Sequence, residues 1–198
     1  MRNDLERKST MSIRKNPTGH TPQISDAAYI DKTALIFGHV IIERGVFVGP
    51  YAVIRADEVD DDGQLEPIVI KNNSNIQDAV IIHCKGGSGV EIGEGSSIAH
   101  RAIVHGPCTI GNDVFIGFNT IVFNSIVGDS CVIEHSVVID GLDIPSHSHI
   151  PSASNIGMDF DLSSLESVSP EQSRFSASVV DANKFLVKGY KALASEEV

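Results

Sequence analysis

Residues 92–122 read IGEGSS-IAHRAI-VHGPCT-IGNDVF-IGFNTI-V, with Ile92, Ile98, Val104, Ile110, Ile116 and Val122 each six apart. The same spacing runs upstream through Ile24, Ile30, Ile36, Ile42, Val48 and Ile54, and resumes at Ile70, Ile76 and Ile82. Downstream it continues one residue short at Val127, Ile133 and Ile139, and after another short step at Ile144 and Ile150. Four residues after most anchors sits a small or β-branched residue, among them Ala28, Ala34, Val40, Val46, Ala52, Val80, Ala102 and Val114; Glu58 and Gly86 break that column. A period of six fits neither the 3.6 of a helix nor a long alternation of two. It fits short strands joined by tight turns, with two inward residues per hexad. Three hexads then close a triangular coil, and successive coils stack at roughly 4.8 Å. The predicted fold is all-β, a parallel β-helix of hexapeptide repeats.

Two interruptions mark loops. Ile54 to Ile70 is read as two hexads plus four residues, and Ile82 to Ile92 as one hexad plus four, which places loops at about 59–67 and 85–91. The first, Glu58-Val-Asp-Asp-Asp-Gly63, lacks the Glu that a calcium loop places where Val69 stands, so it reads as a solvated acidic loop. Beyond Ile150 the hexads stop. Ser169-Pro-Glu opens a predicted helix with Ser as N-cap and Pro at the first turn. Val179, Val180, Phe185, Leu186, Tyr190 and Leu193 give it an uneven apolar face, interrupted at Gly189, that should pack back along the coil. The expected organisation is a flexible arm over 1–20, a β-helix over 21–158, and a linker and C-terminal helix over 159–198. Met11 is an alternative start.

The 198 residues suit one domain with a full core. Fifteen basic side chains against 26 acidic ones give a net charge of −11, which argues against nucleic acid as a partner. No apolar run approaches the ~18–20 residues of a membrane span, and the polar, basic start lacks the apolar core of a secretory signal. Cys84, Cys108 and Cys131 form no framework, so a reducing compartment, the cytoplasm, is expected. Neither a phosphate-binding Gly-rich loop nor a G-x-S-x-G elbow is present.

Position in the repeat separates the eight histidines. His83 and His105 each follow an anchor by one, 22 residues apart, which is one coil of 18 plus the four inserted; they should stack on one face of neighbouring coils. His100 lies on the preceding face, with Asp78 in the same slot one coil below. Arg55 and Gln77 are read as the first slot of that face, with Asp57 two beyond Arg55. Around a sharp corner His100 points away from His83 and His105, and meets a neighbour's pair if three subunits pack side by side. Three His nitrogens with an open fourth position are the ligand set of a catalytic zinc site. His39, His135, His147 and His149 lack such partners and read as surface or turn residues, and Cys108 and Cys131 as core.

I-R-A-D-E at 54–58, N-I-Q-D-A-V-I-I-H at 75–83, I-A-H-R-A-I-V-H-G-P at 98–107, I-G-F-N-T-I-V-F-N at 116–124 and I-P-S at 150–152 resemble γ-class carbonic anhydrases, including archaeal and carboxysomal members. The resemblance covers roughly residues 20–190 and implies the left-handed form of the coil. It further implies a homotrimer in which His83 and His105 bind a metal from one subunit and His100 from its neighbour. The metal implied is Zn²⁺, with Fe²⁺ or Co²⁺ as alternatives, since His₃ ligation selects weakly among them. Gln77 is implied to hydrogen-bond the metal-bound hydroxide, with Asn75 near the substrate and Asn183 contributed by the C-terminal helix. Arg55, Asp57 and Asp78 are implied as an ion-pair network at the subunit contact. The activity implied is reversible hydration of CO₂ to bicarbonate. The tract after His83 carries no carboxylate until Glu91, where archaeal relatives have a longer acidic loop with a proton-shuttling Glu, so Glu58 is the substitute expected here. Two other readings compete: a trimer that serves assembly without turnover, and a hexapeptide acyltransferase with one His as base. The second leaves the three registered histidines unexplained.

Overall fold

The structure is a computed structural model, and it describes residues 12–196. Three parallel sheets form the walls of a left-handed β-helix, and one long helix lies along it. The histidine sheet stacks Ile13–Arg14, Leu35–Gly38, Val53–Ala56, Ile81–Cys84, Ile103–Gly106, Ile121–Phe123, Val138–Asp140 and Asn155–Ile156. The helix sheet runs from Tyr29–Ile30 through Asn75–Ile76 and Ser97–Ile98 to Ser148–Ile150, and is closed by the antiparallel pair Glu166–Ser167. A seven-stranded sheet forms the third wall.

The hexad anchors build this prism because they point inward, together with the small residues four positions on, such as Ala52, Val80 and Ala102. Ile36, Ile54, Ile76, Ile82, Ile98, Ile110, Ile116 and Ile133 are fully buried in one continuous core. Each sits over its counterpart one coil away, so side-chain packing and the parallel ladder specify the same register. At the corner between the helix sheet and the histidine sheet, six successive coils after the first turn through a residue at positive φ: Tyr51, Ala79, Arg101, Asn119, Ser136 and Ala153. That is the third residue of a type II-like turn, and it throws the residue before it outward.

The first interruption is larger than its phase suggests. Ile54 pairs with Ile82, and Ile70 belongs to the next wall, so Ile54 to Ile70 is one hexad plus ten residues. Both insertions fall at the same corner and stack: a Cβ on Gly86 would lie 2.3 Å from the Val59 backbone. The expected arm also shortens. Ile13–Arg14 pairs with Leu35–Gly38 as the first strand of the histidine sheet, while residues 1–11, Met11 among them, lie outside the described residues.

Helix α1 (Pro170–Glu196) starts as predicted. Ser169 Oγ accepts from the Gln172 N–H (3.3 Å), and Gln172 Oε1 accepts from the Ser169 N–H (2.8 Å), a reciprocal capping box. Its 27 residues span about 40 Å at 1.5 Å each, which matches the stacked coils. Lys191 reaches the Asp26 carbonyl and Tyr190 stacks on Tyr29 at 4.7 Å, so the helix runs back to the first coils. Its packed stripe is Ser176, Val180, Asn183 and Val187, whereas Phe185 and Leu193, expected to pack, are exposed. We expect Ile133→Ala, deep in the core and away from the histidines, to cost about 2–5 kcal/mol, and Ile133→Val about 0.5–1.5. Urea unfolding at fixed protein concentration measures both.

Candidate metal centre

His83 and His105 occupy adjacent strands in direct register. His83 Nδ1 lies 3.2 Å from His105 Nε2, with the rings edge to face at 5.0 Å. His105 Nδ1 is 3.1 Å from the Gly106 carbonyl, and Arg55 Nη2 is 3.0 Å from His83 Nε2. These contacts assign one chain of neutral tautomers. Arg55 donates to His83 Nε2, His83 Nδ1–H donates to His105 Nε2, and His105 Nδ1–H donates to the carbonyl. Burial lowers the His83 pKa below its ordinary value, and the Arg55 guanidinium pushes the same way, which agrees with a neutral ring.

Arg55 stands directly beside His83, on the histidine sheet. The placement of Arg55 and Asp57 on the wall of Gln77 is therefore corrected. The 28 residues from Arg55 to His83 are a coil of 18 plus an insertion of ten. Around that pair the insertion's first residues close in. Arg55 Nε is 3.3 Å from Asp57 Oδ1, and Glu58 Oε1 is 3.5 Å from Arg55 Nη2 and 3.3 Å from His83 Nε2.

His100 and Asp78 sit at tips of the positive-φ turns on successive coils, half-exposed, with His100 Nδ1 3.5 Å from Asp78 Oδ2. His100 packs on Phe118 (5.3 Å between rings), and no recorded contact joins it to His83 or His105. Gln77 and Asn75 lie on the adjoining helix sheet, both buried. Gln77 Nε2 donates to Asn75 Oδ1 (2.9 Å), and Asn75 Nδ2 donates to Ser97 Oγ (2.7 Å). Ser97 went unnoticed in the sequence, although its 22-residue spacing from Asn75 is the one that links His83 to His105. Gln77, His100, Phe118, Phe175, Val179 and Ala182 line a groove of about 360 Å³ between the corner and α1. Asn183, next to Ala182, is buried and donates to the Val179 carbonyl (2.9 Å).

The donor set fits a divalent metal. Two imidazoles converge through a shared proton that a cation can replace, and His105 is oriented by a carbonyl on its other nitrogen, the usual support of a ligating histidine. Among the described residues, no three His, Cys, Asp or Glu side chains of one chain gather around a common point suited to a metal.

Other side chains depart from expectation. His149, read as a surface residue, is mostly buried and 2.9 Å from Glu134 Oε1; that hydrogen bond, with two more from Ser152, holds the Glu134 carboxyl below its ordinary value. His135 stacks on Phe118 and His39 on His20. Cys108 and Cys131 lie in the core, as expected, while Cys84 is free and buried as well, and burial pushes its thiol up to about 11.

Known proteins share the sequence pattern and the fold. Residues 89–124 match the family described as bacterial transferase hexapeptide (six repeats). Two solved structures share the fold: a hexapeptide transferase family protein from Anaplasma phagocytophilum (TM-score 0.76, 20% identity, 91% of this chain and 99% of that one) and a putative acetyltransferase from Bacillus cereus (0.78, 19%, 91% and 97%). At those identities the likeness concerns the coil alone. The carbonic anhydrase of Methanosarcina thermophila is 34% identical, over 89% of this chain and 77% of that protein. The carboxysome assembly protein CcmM of a Nostoc species is 31% identical over 94% of this chain, which spans only 36% of that protein. The chain belongs to the γ-class carbonic anhydrase family.

We expect two-dimensional nitrogen-15 spectra of the metal-free protein to show His105 with its proton on Nδ1 and a bare Nε2. A proton on Nε2 would contradict the assigned chain of tautomers.

Proposed function

We propose that the protein is a metal-dependent carbonic anhydrase, catalysing reversible hydration of CO₂ to bicarbonate at the contacts of a homotrimer. The supporting observation is the division of the histidines: His83 and His105 converge on one wall, and His100 projects from a corner that faces away. A neighbouring copy that brings its corner to this wall completes a three-imidazole site. Zn²⁺ is the metal expected, with Fe²⁺ or Co²⁺ also compatible with the ligands. When bound, it supplies the Lewis acidity that makes water a nucleophile near neutral pH.

The chain's own residues do the rest. Gln77 spends its amide N–H on Asn75, which leaves its carbonyl oxygen to accept a hydrogen bond and orient the attacking oxygen. Asn75, held by Ser97 and bonded to Gln77, and Asn183, beside Ala182, are the buried amides assigned to the substrate's surroundings. Phe118, Phe175, Val179 and Ala182 give the groove apolar walls suited to CO₂. Glu58, half-exposed and beside His83 Nε2, is the first acceptor for the departing proton. Arg55, Asp57 and Asp78 make the ion-pair network of the subunit contact: Arg55 compensates the acidic pair on its own chain, and Asp78 stands with His100 on the corner brought to it. We assign the cytoplasm as its compartment, in keeping with three unpaired, buried cysteines.

The similarity to CcmM over 94% of the chain favours one alternative, a trimer of the same design that serves assembly and does not turn over. Stopped-flow CO₂ hydration, with metal assayed on the same anaerobically prepared sample, separates the two. Activity with about one metal per chain is expected, and full occupancy without activity selects the alternative. The shared site has its own test. His100→Ala and His105→Ala should each abolish metal binding and activity, while refolding the two together should restore both, because every mixed trimer holds one intact site. Equal losses in the mixture would refute sharing.

A further inference from the structure

We infer that His39 and His20 are the relay that carries the reaction's proton from the site to solvent; the inference rests on the carbonic anhydrase reading. Among the described residues, two buried side-chain atoms receive no protein hydrogen bond: Asp57 Oδ1 and His39 Nδ1. They belong to neighbouring positions. Gly38 pairs with Ala56, and the His39 N–H donates to the Ala56 carbonyl (3.0 Å), so His39 and Asp57 leave adjacent strands at one corner. Asp57 Oδ1 lies 3.3 Å from Arg55 Nε and 3.7 Å from His83 Nε2, within ion-pair range but not aligned for a hydrogen bond.

The outer end is built as well. His39 stacks on His20, with centroids 4.6 Å apart and planes 13° from parallel. Asn16, itself buried, pins the loop bearing His20: its amide donates to the Ala56 carbonyl (3.3 Å), and its Oδ1 accepts from the His20 N–H (2.8 Å) and the Thr18 hydroxyl (3.0 Å). With its proton given to Asn16, Thr18 Oγ1 is the acceptor for His20 Nδ1–H at 3.0 Å, so His20 Nε2 keeps its lone pair. Both rings are partly open to solvent. The charged groups around them are Asp57 on the neighbouring strand, Lys15, which reaches Gly19 of the same loop, and Arg14, held over Phe37 at 4.0 Å.

Hydration releases one bicarbonate and one proton per turnover, and the proton must reach buffer. A relay works best when its pKa lies near the working pH, because it must both take and release the proton, and imidazole is the side chain of that kind. Two buried polar atoms without protein partners are the atoms a bridging water satisfies. The proton passes from the site through such a water, beside Asp57 Oδ1, to His39 Nδ1, and the stacked pair hands it to buffer.

The test uses the metal-loaded protein at low and high buffer concentration. In His39→Ala, His39→Gln and His20→Ala, kcat at low buffer should fall about tenfold or more, with kcat/KM unchanged and kcat restored by free imidazole. Unchanged kcat in all three variants, or a loss that imidazole does not rescue, overturns the relay. Independently of activity, NMR titration of the His39 ring should show a lower midpoint in Asp57→Asn; an unmoved midpoint also overturns it. Wild-type protein without hydratase activity overturns the carbonic anhydrase reading, and that NMR titration alone then decides whether Asp57 and His39 are coupled.

Discussion

The inward column of branched aliphatics, locked coil over coil by the parallel ladder, leaves every other side chain a fixed address. Ile54, Ile82 and Val104 stack inside the histidine sheet, so the residues one position further on, Arg55, His83 and His105, must stack outside it. Strand spacing of about 4.8 Å is also close to what two imidazoles need to share a proton or a cation. No loop has to fold correctly to bring these two histidines together. The anchors that stabilise the prism aim them, and core packing and site geometry are one requirement.

That economy explains how much of the site could be read from the sequence. His83 and His105 were legible because four inserted residues leave a coil otherwise intact. Arg55 was not, and the reason is arithmetic. Hexad phase reports an insertion only modulo six, so four and ten look alike, whereas the wall a residue occupies depends on the count modulo three hexads. Ten inserted residues move Arg55 from the wall of Gln77 to that of His83, where it holds Nε2 and draws Asp57 and Glu58 with it. The helix was legible at its start, where Ser169 and Gln172 exchange local bonds, and less so along its face. Asn183 and Ser176 pack while Phe185 does not, and Asn183 satisfies its amide within the helix, at the Val179 carbonyl. His39 and His20 belong to no common phase, and only the fold of the first coil stacks them.

A triangular prism is convex, and that limits what one chain can do. Side chains on a flat wall diverge from those across a corner, so His100 cannot turn to face His105 within one coil. A site that surrounds a ligand must therefore be built between bodies: between prism and helix, or between prism and prism. Both arrangements meet at His100. The helix raises a wall beside the corner and makes a groove of it, and a second copy supplies the remaining imidazoles in the proposed trimer.

The chemistry of the groove is as divided as its construction. Phe118, Phe175, Val179 and Ala182 present apolar surface, while Gln77 and His100 supply polar atoms at its edge. Carbon dioxide is small, uncharged and poor at hydrogen bonding, and such walls admit it without competing for water. Bicarbonate is charged and hydrogen-bonding, and those walls do not retain it. The opposite requirement holds for the proton, which leaves only through groups that can carry charge. The acidic groups Glu58 and Asp57 lie on the other wall with His83, held there by Arg55. In the proposed reaction, substrate and proton therefore reach the histidines from different faces, and the ten-residue insertion that places Asp57 and Glu58 beside His83 belongs to the proton's side.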